Sequence, residues 1–141
     1  EGHDAPVGAH LSEGVEVSGR SQANLLTVKG YPMAGLVADC DLLKIDAEGI
    51  EAKLLLAARD VLVKNAPTLV IEVLPEAENL ATVLKELASA AGYSIYIVPE
   101  YGSDEIVRAD AATFSSRLPG RYHSKDVVLS RLPIESLTSA P

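Results

Sequence analysis

Residues 41–73 read DLLKIDAEGIEAKLLLAARDVLVKNAPTLVIEV, and this stretch decides the fold. It begins with a short apolar run at residues 42–46, which ends in an acid. An amphipathic helix is predicted over residues 50–64, because apolar side chains recur there at spacings of three and four. The apolar positions are Ile50, Leu54, Ala57, Ala58, Val61 and Leu62. A second apolar run, residues 69–73, is interrupted only by Glu72.

The alternation of apolar runs and helical patterns continues towards the carboxyl end of the chain. A second amphipathic helix is predicted over residues 80–91, with Gly92 suited to its carboxyl-terminal cap. Residues 95–98 and 127–130 are further apolar runs of strand length, and residues 99–124 between them are irregular. The pattern therefore predicts four strands of one sheet together with two helices.

This order of elements indicates an α/β fold. Strands that are apolar on both faces are typical of parallel sheets covered by helices, so we expect a mostly parallel sheet with helices on its two faces. The run at residues 127–130 has no helix before it and is expected to enter as a late antiparallel strand beside the third. The domain is expected to span residues 41–130, after a poorly defined, polar segment at residues 1–40 and before a tail at residues 131–141.

Composition and charge narrow the classes of function. The chain has 141 residues, of which 48% are apolar, and this suits a single folded domain. The formal net charge of −8, without a cluster of Lys or Arg, argues against nucleic acid as a partner. The apolar runs are short and are broken by charges, so no membrane-spanning segment is expected. The single cysteine, Cys40, lies between two aspartates and indicates a reduced structural thiol in a cytoplasmic protein.

Within the stretch that decides the fold, residues 44–51 read KIDAEGIE, and IEV follows at residues 71–73. This pattern resembles the FkbM family of S-adenosylmethionine-dependent methyltransferases, whose D-L-I-K-I-D-V-E-G-A-E signature precedes a helix, a short loop with Asn or Pro, and an I-E-V strand. Ala47 and Ile50 are the changes from that signature. The resemblance implies the carboxyl-terminal half of a Rossmann-like methyltransferase sheet. It also implies a small-molecule acceptor that is methylated on a hydroxyl group, such as a sugar or a secondary metabolite.

The cofactor-binding half of such a domain is not apparent in the sequence. The resemblance implies that S-adenosyl-L-methionine is bound by a glycine-rich turn after a first strand and by an acid at the end of a second. Gly14, Gly19 and Gly30 are too scattered to form that turn. We therefore expect the chain alone to bind this cofactor weakly or not at all.

Two alternatives to a complete enzyme follow from the missing half. One is a non-catalytic remnant that serves assembly or binding. The other is one half of a split enzyme, with a partner chain that supplies the rest. The sheet edges of half a domain would also favour self-association, because unpaired strands offer free backbone donors and acceptors.

Three residues of the signature are candidates for the site. Asp46 ends a strand, where it is placed to orient the cationic sulfonium or to accept a proton from the attacking hydroxyl, and it is the catalytic candidate. The alternative is that Asp46 caps the following helix. Glu48, close to the helix dipole, suits cofactor or substrate binding better than general base catalysis, or is a first-turn acid. Gly49 allows close approach of a ligand or a strand to the backbone.

Glu72 is a further candidate, because an acid in a buried run needs a hydrogen-bond donor or a functional reason. Lys44 on the neighbouring strand is its expected partner in a structural pair, and cofactor or substrate binding by Glu72 is the alternative. Glu51 is interpreted as a structural extension of the acidic first turn. No metal site is expected, since His3 and His10 lie too far apart and have too few companions.

Overall fold

The computed structural model describes residues 29–74, 79–98, 106–112 and 125–133. All of the described elements belong to the second of two units into which the chain divides, Tyr31–Pro141. In the described ranges these elements are α1 (Met33–Leu36), β1 (Leu42–Ile45), α2 (Glu51–Ala57), α3 (Arg59–Asn65), β2 (Thr68–Val73), α4 (Leu80–Ala91), β3 (Ser94–Val98), β4 (Val107–Ala109) and β5 (Lys125–Ser130).

The five strands form one open sheet in the order β1-β2-β5-β3-β4. β1 and β2 are parallel, whereas β5 is antiparallel to both β2 and β3, and β4 is antiparallel to β3. The prediction of a mostly parallel sheet is therefore wrong, and the late antiparallel strand beside the third is confirmed. The reason is that β5 lies between β2 and β3. These two strands run in the same direction but do not pair with each other.

The predicted elements occur close to their expected positions. The four predicted strands differ from the observed ones by one or two residues at their ends. α4 has the predicted bounds, and Gly92 follows it with a left-handed φ of 71°. The helix predicted over residues 50–64 is divided into α2 and α3 at Ala58. α1 lies in the segment 1–40, and β4 lies within residues 99–124, which were expected to be irregular.

The helices α2, α3 and α4 lie on one face of the sheet, where α4 contacts both of the others. The expectation of helices on two faces is wrong, because both crossovers move across the sheet in the same direction, and a common handedness then places them on one face. The core between helices and sheet includes Leu55 and Leu62 from the helices and Leu69, Ile71 and Leu129 from the strands.

None of the helices in the described ranges is both long enough and apolar enough to span a bilayer.

Candidate functional site

The connection from β1 to α2 carries most of the predicted site residues. It follows the carboxyl end of β1, and because β2 and β3 run in the same direction, their carboxyl ends lie at this edge too. Ligands of open α/β sheets bind beyond the carboxyl ends of the strands. The structure therefore brings Asp46, Glu48 and Gly49 to the edge of the sheet where a ligand site is expected.

Two consecutive residues of this connection have left-handed backbone conformations. Glu48 has a φ of 53° and Gly49 has a φ of 98°. A Cβ added at Gly49 would meet no atom within 4 Å, so glycine is favoured there by its backbone angle and not by close packing. Glu48 has no such freedom, and a left-handed conformation costs a residue with a Cβ about 1–2 kcal/mol.

Asp46 does not cap the following helix. α2 begins at Glu51, and its N-cap, Ile50, makes no side-chain capping bond. The carboxylate of Asp46 instead lies 3.5 Å from the Nζ atom of Lys44, and both side chains are about half exposed. An exposed ion pair of this kind contributes about 1 kcal/mol or less to stability. Asp46 is thus accessible at the sheet edge and has only a weak structural role.

Glu51, expected to be a structural acid of the first helical turn, has a structural role inside the protein. Its side chain is completely buried, and its Oε1 atom accepts hydrogen bonds from the backbone N–H groups of Ala47 at 2.9 Å and Gly49 at 3.0 Å. Its Oε2 atom is also buried and has no hydrogen-bond partner among the residues that the structure describes. Glu51 is indeed a first-turn acid of α2, but it points into the protein and holds the preceding loop.

A sequence signal for this burial exists. Glu51 is four residues before Leu55 and seven before Ala58, and both of those residues are buried. Glu51 therefore lies on the buried stripe of its helix, whereas Ile50 and Leu54 of the predicted stripe are only half-buried. An acid at a core position of a helix requires donors, and the loop before the helix supplies them.

Glu72 lies on the face of the sheet opposite the helices. It is half-buried in β2, and its partner position across the antiparallel pair is Asp126 of β5. Lys44 lies beside Val70, so that Glu72 is one diagonal step away from Lys44 on the same face. The ion pair that the structure shows for Lys44 is with Asp46, and the Lys44–Glu72 pair stays a prediction.

Asp46 and Glu72 place two acids at the carboxyl edge of the sheet, and Lys44, which lies 3.5 Å from Asp46, offsets part of their charge. Ile45 lies beside Ile71, so the next residues, Asp46 and Glu72, come at the same level of the sheet. In the described ranges, no group of three His, Cys, Asp or Glu side chains has an arrangement that could hold a metal ion.

A shallow groove lies at the other end of the sheet, near the start of β3, and is lined by Tyr93, Arg108 and Asp110 among others. The hydroxyl group of Tyr93 donates a hydrogen bond to the backbone oxygen of Pro67 at 2.8 Å. Burial raises the pKa of Tyr93 to about 12, against a smaller opposing effect of Arg131. Tyr93 therefore joins the amino ends of β2 and β3 and belongs to the structural core, not to the candidate site.

Comparisons of the chain with protein-family models, curated proteins and solved structures found no match.

Proposed function

We propose that the chain is the carboxyl-terminal part of an FkbM-type, S-adenosylmethionine-dependent methyltransferase domain that acts on a hydroxyl group of a small molecule. The observation that carries the proposal is the location of the KIDAEGIE stretch. Its strand ends at the carboxyl edge of an α/β sheet, where Asp46 and Glu48 are exposed and Glu51 is buried beneath the loop.

The order of elements is compatible with the proposal. The strands and helices alternate as far as β3, and β5 then enters as the late antiparallel strand that was expected because no helix precedes it. Its position between β2 and β3 leaves the sheet mostly antiparallel, so the proposal rests on the sequence motif and not on the strand directions.

The charges of the edge suit the chemistry of methyl transfer. S-adenosyl-L-methionine, when bound, would supply a methyl group on a cationic sulfur. A hydroxyl oxygen would take this methyl group to form a methyl ether, and the sulfur would leave as the neutral thioether S-adenosyl-L-homocysteine. We assign to Asp46, which is half exposed, the acceptance of the proton that the hydroxyl group loses. Glu48 and Glu72 contribute negative charge to the same edge, which favours a cationic ligand. Proximity and alignment of the two reactants then provide most of the acceleration.

The residues of this chain do not account for the whole cofactor. The acids fit the sulfonium, but the sequence before residue 41 contains no glycine-rich turn for the rest of the molecule. The proposal therefore assigns the acceptor side and the sulfonium side of the site to this chain. It assigns the remaining contacts to a segment or a partner outside residues 41–130.

Assembly is the second candidate function, and the edge strand β1 favours it. In the described ranges β1 pairs only with β2, and its first residue, Leu42, is 60% exposed. An exposed edge strand can receive a strand from another segment or chain. This candidate includes the half of a split enzyme and the non-catalytic remnant.

Calorimetric titration with S-adenosyl-L-methionine tests the proposal. We expect the 141-residue chain to bind weakly or not at all, and we expect binding when the sequence encoded before Glu1, or a partner that copurifies, is included. Transfer of a labelled methyl group to a panel of sugars and small hydroxyl compounds is the second readout. Absence of both binding and transfer from every such form would refute the methyltransferase. Micromolar binding with one site by the chain alone would refute the division of the cofactor site.

A further inference from the structure

We infer that Glu51 is the residue that positions the candidate site, because it holds the loop of residues 46–50 in the conformation that presents Asp46 and Glu48. The expected effect of Glu51 on ligand binding rests on the proposed function. The restraint that Glu51 places on the loop does not depend on that function, because it follows from the hydrogen bonds and backbone angles of the loop. Sequence reasoning treated Glu51 as an acid of the helix start, and the resemblance assigned it no role.

The hydrogen bonds of the loop are the first argument. The loop's own turn is closed by a long backbone bond of 3.4 Å from the N–H group of Ile50 to the oxygen of Ala47. The two bonds from Ala47 and Gly49 to Glu51 are 2.9 and 3.0 Å long. Shorter bonds to a carboxyl oxygen are stronger than one long bond between peptide groups. The side chain of Glu51 is therefore the main restraint on this turn.

The backbone angles are the second argument. Glu48 and Gly49 are both left-handed, and for Glu48 this conformation is unfavourable. Such a conformation persists only when its surroundings hold it in place. The N–H groups that flank Glu48, those of Ala47 and Gly49, are the two that Glu51 binds. Glu51 thus holds the strained residue from both sides.

The unequal use of the two carboxyl oxygens makes the inference testable. Oε1 accepts two hydrogen bonds, whereas Oε2 has no partner among the described residues. A glutamine has the same shape and keeps one carbonyl oxygen, so Glu51→Gln should retain both bonds to the loop. Glu51→Leu fills the buried space without an acceptor and should release the loop. Glu51→Asp draws the carboxyl group back by one methylene and should release it too.

Amide hydrogen exchange of the 141-residue chain, measured by NMR, is the structural test. The exchange ratio compared between variants is the exchange rate of the Gly49 amide divided by that of the amides in β2. Glu51→Leu should raise this ratio about tenfold or more, as expected when a hydrogen bond to a carboxyl group is lost, and Glu51→Gln should leave it within about threefold of the unchanged chain. The backbone couplings of Glu48 should lose their positive-φ signature in Glu51→Leu and Glu51→Asp but keep it in Glu51→Gln.

Leu55→Ala is the matched control, since Leu55 is one turn further along α2 and is also completely buried. It should speed exchange in β2 through global unfolding and should not raise the ratio. An unchanged ratio in Glu51→Leu, or an equal change in Leu55→Ala, overturns the inference. If Glu51→Leu does not fold, Glu51→Asp and Glu51→Gln decide, and equal exchange ratios in these two variants overturn it.

The effect on the ligand is measured with the form of the protein that binds S-adenosyl-L-methionine. Glu51→Leu should weaken that binding or lower the turnover about tenfold, and Glu51→Gln should retain both. Normal binding and turnover in Glu51→Leu would show that the loop's conformation does not matter to the ligand, and the inference would fail. If no form binds the cofactor while the exchange ratio changes as expected, the proposed function fails and the positioning of the loop by Glu51 stands.

Discussion

Replacement of Glu48 by glycine is the most informative perturbation of the loop, because it relieves the backbone and removes the side chain together. The left-handed conformation of Glu48 costs about 1–2 kcal/mol. Glycine avoids that cost but loses about 0.5–1 kcal/mol more backbone entropy on folding. The side chain is exposed and buries little surface. Glu48→Gly should therefore stabilise the chain by about 0.5–1 kcal/mol.

Thermal and urea unfolding, followed by circular dichroism, measure this change. The expected stabilisation corresponds to a rise in Tm of about 3 °C for a chain of this size. Glu48→Ala keeps the Cβ, so its free energy of unfolding should stay within about 0.5 kcal/mol of the unchanged chain. Lys53→Gly is the matched control, since Lys53 is exposed inside α2, and there glycine should destabilise by about 1 kcal/mol.

A loss of stability in Glu48→Gly similar to that in Lys53→Gly would refute the reasoning, because it would show that Glu48 has an ordinary backbone or a stabilising side chain. The functional readout should move in the opposite direction from stability. In the form that binds S-adenosyl-L-methionine, Glu48→Gly should bind it more weakly while melting later. A substitution that stabilises the fold and weakens ligand binding would show that Glu48 serves binding at a cost in stability.

Three further predictions concern the site, the core and the pH dependence. Asp46→Asn should reduce turnover of the active form about a hundredfold. It should leave the melting temperature nearly unchanged, because the ion pair of Asp46 with Lys44 is exposed. Early melting with normal turnover would show that Asp46 is structural. Leu55→Ala should lower the free energy of unfolding by about 2–5 kcal/mol, because Leu55 is completely buried. Leu56→Ala, at the exposed neighbouring residue, should lower it by less than about 1 kcal/mol. Similar losses in the two variants would contradict the assignment of the buried helix face. Tyr93 has a folded pKa raised to about 12 from 10.0, so its contribution to stability is complete below pH 10 and is lost as the pH rises towards 12. Tyr93→Phe should reduce this alkaline loss in urea titrations, and an unchanged loss would contradict burial as its cause.

The existence and position of most elements could be predicted because their signals are local. α4 is the clearest case, with a continuous apolar stripe and Gly92 at its end. The break at Ala58 could not be predicted, since neither Pro nor Gly marks it. β4 has three residues, too few to show an alternating pattern.

Strand order could not be predicted, because it depends on pairing between distant segments. An apolar run has the same composition whether its neighbour is parallel or antiparallel. The position of β5 between β2 and β3 brings residues 125–130 beside both residues 68–73 and residues 94–98. Which strands pair depends on how much apolar surface the whole sheet buries, and this cannot be read from any single apolar run. The same limit explains why the helices were expected on two faces.

The positions of Asp46 and Glu48 at the end of a strand were easier to predict than the burial of Glu51. Asp46 and Glu48 follow the end of a strand, and that is a matter of local order. Glu51 was excluded from the predicted stripe because it is charged, although its spacing from Leu55 is that of a core position. Its burial depends on two backbone donors of the preceding loop, and the loop's left-handed turn creates them. Patterns of apolar residues contain no information on such donors.

Two unfavourable features occur within four residues of this chain, and their coincidence bears on the choice between an enzyme and a remnant. Glu48 is strained, and Glu51 is a buried acid with one oxygen that has no partner among the described residues. A glycine at the first position and an apolar residue at the second would give a simpler connection from β1 to α2. Left-handed backbone also occurs at Ala66 and Asn79, outside the candidate site, so the strain at Glu48 is not by itself a mark of function. The buried acid beside it is the feature that the proposed ligand-binding role would explain and that a remnant serving assembly alone would not require.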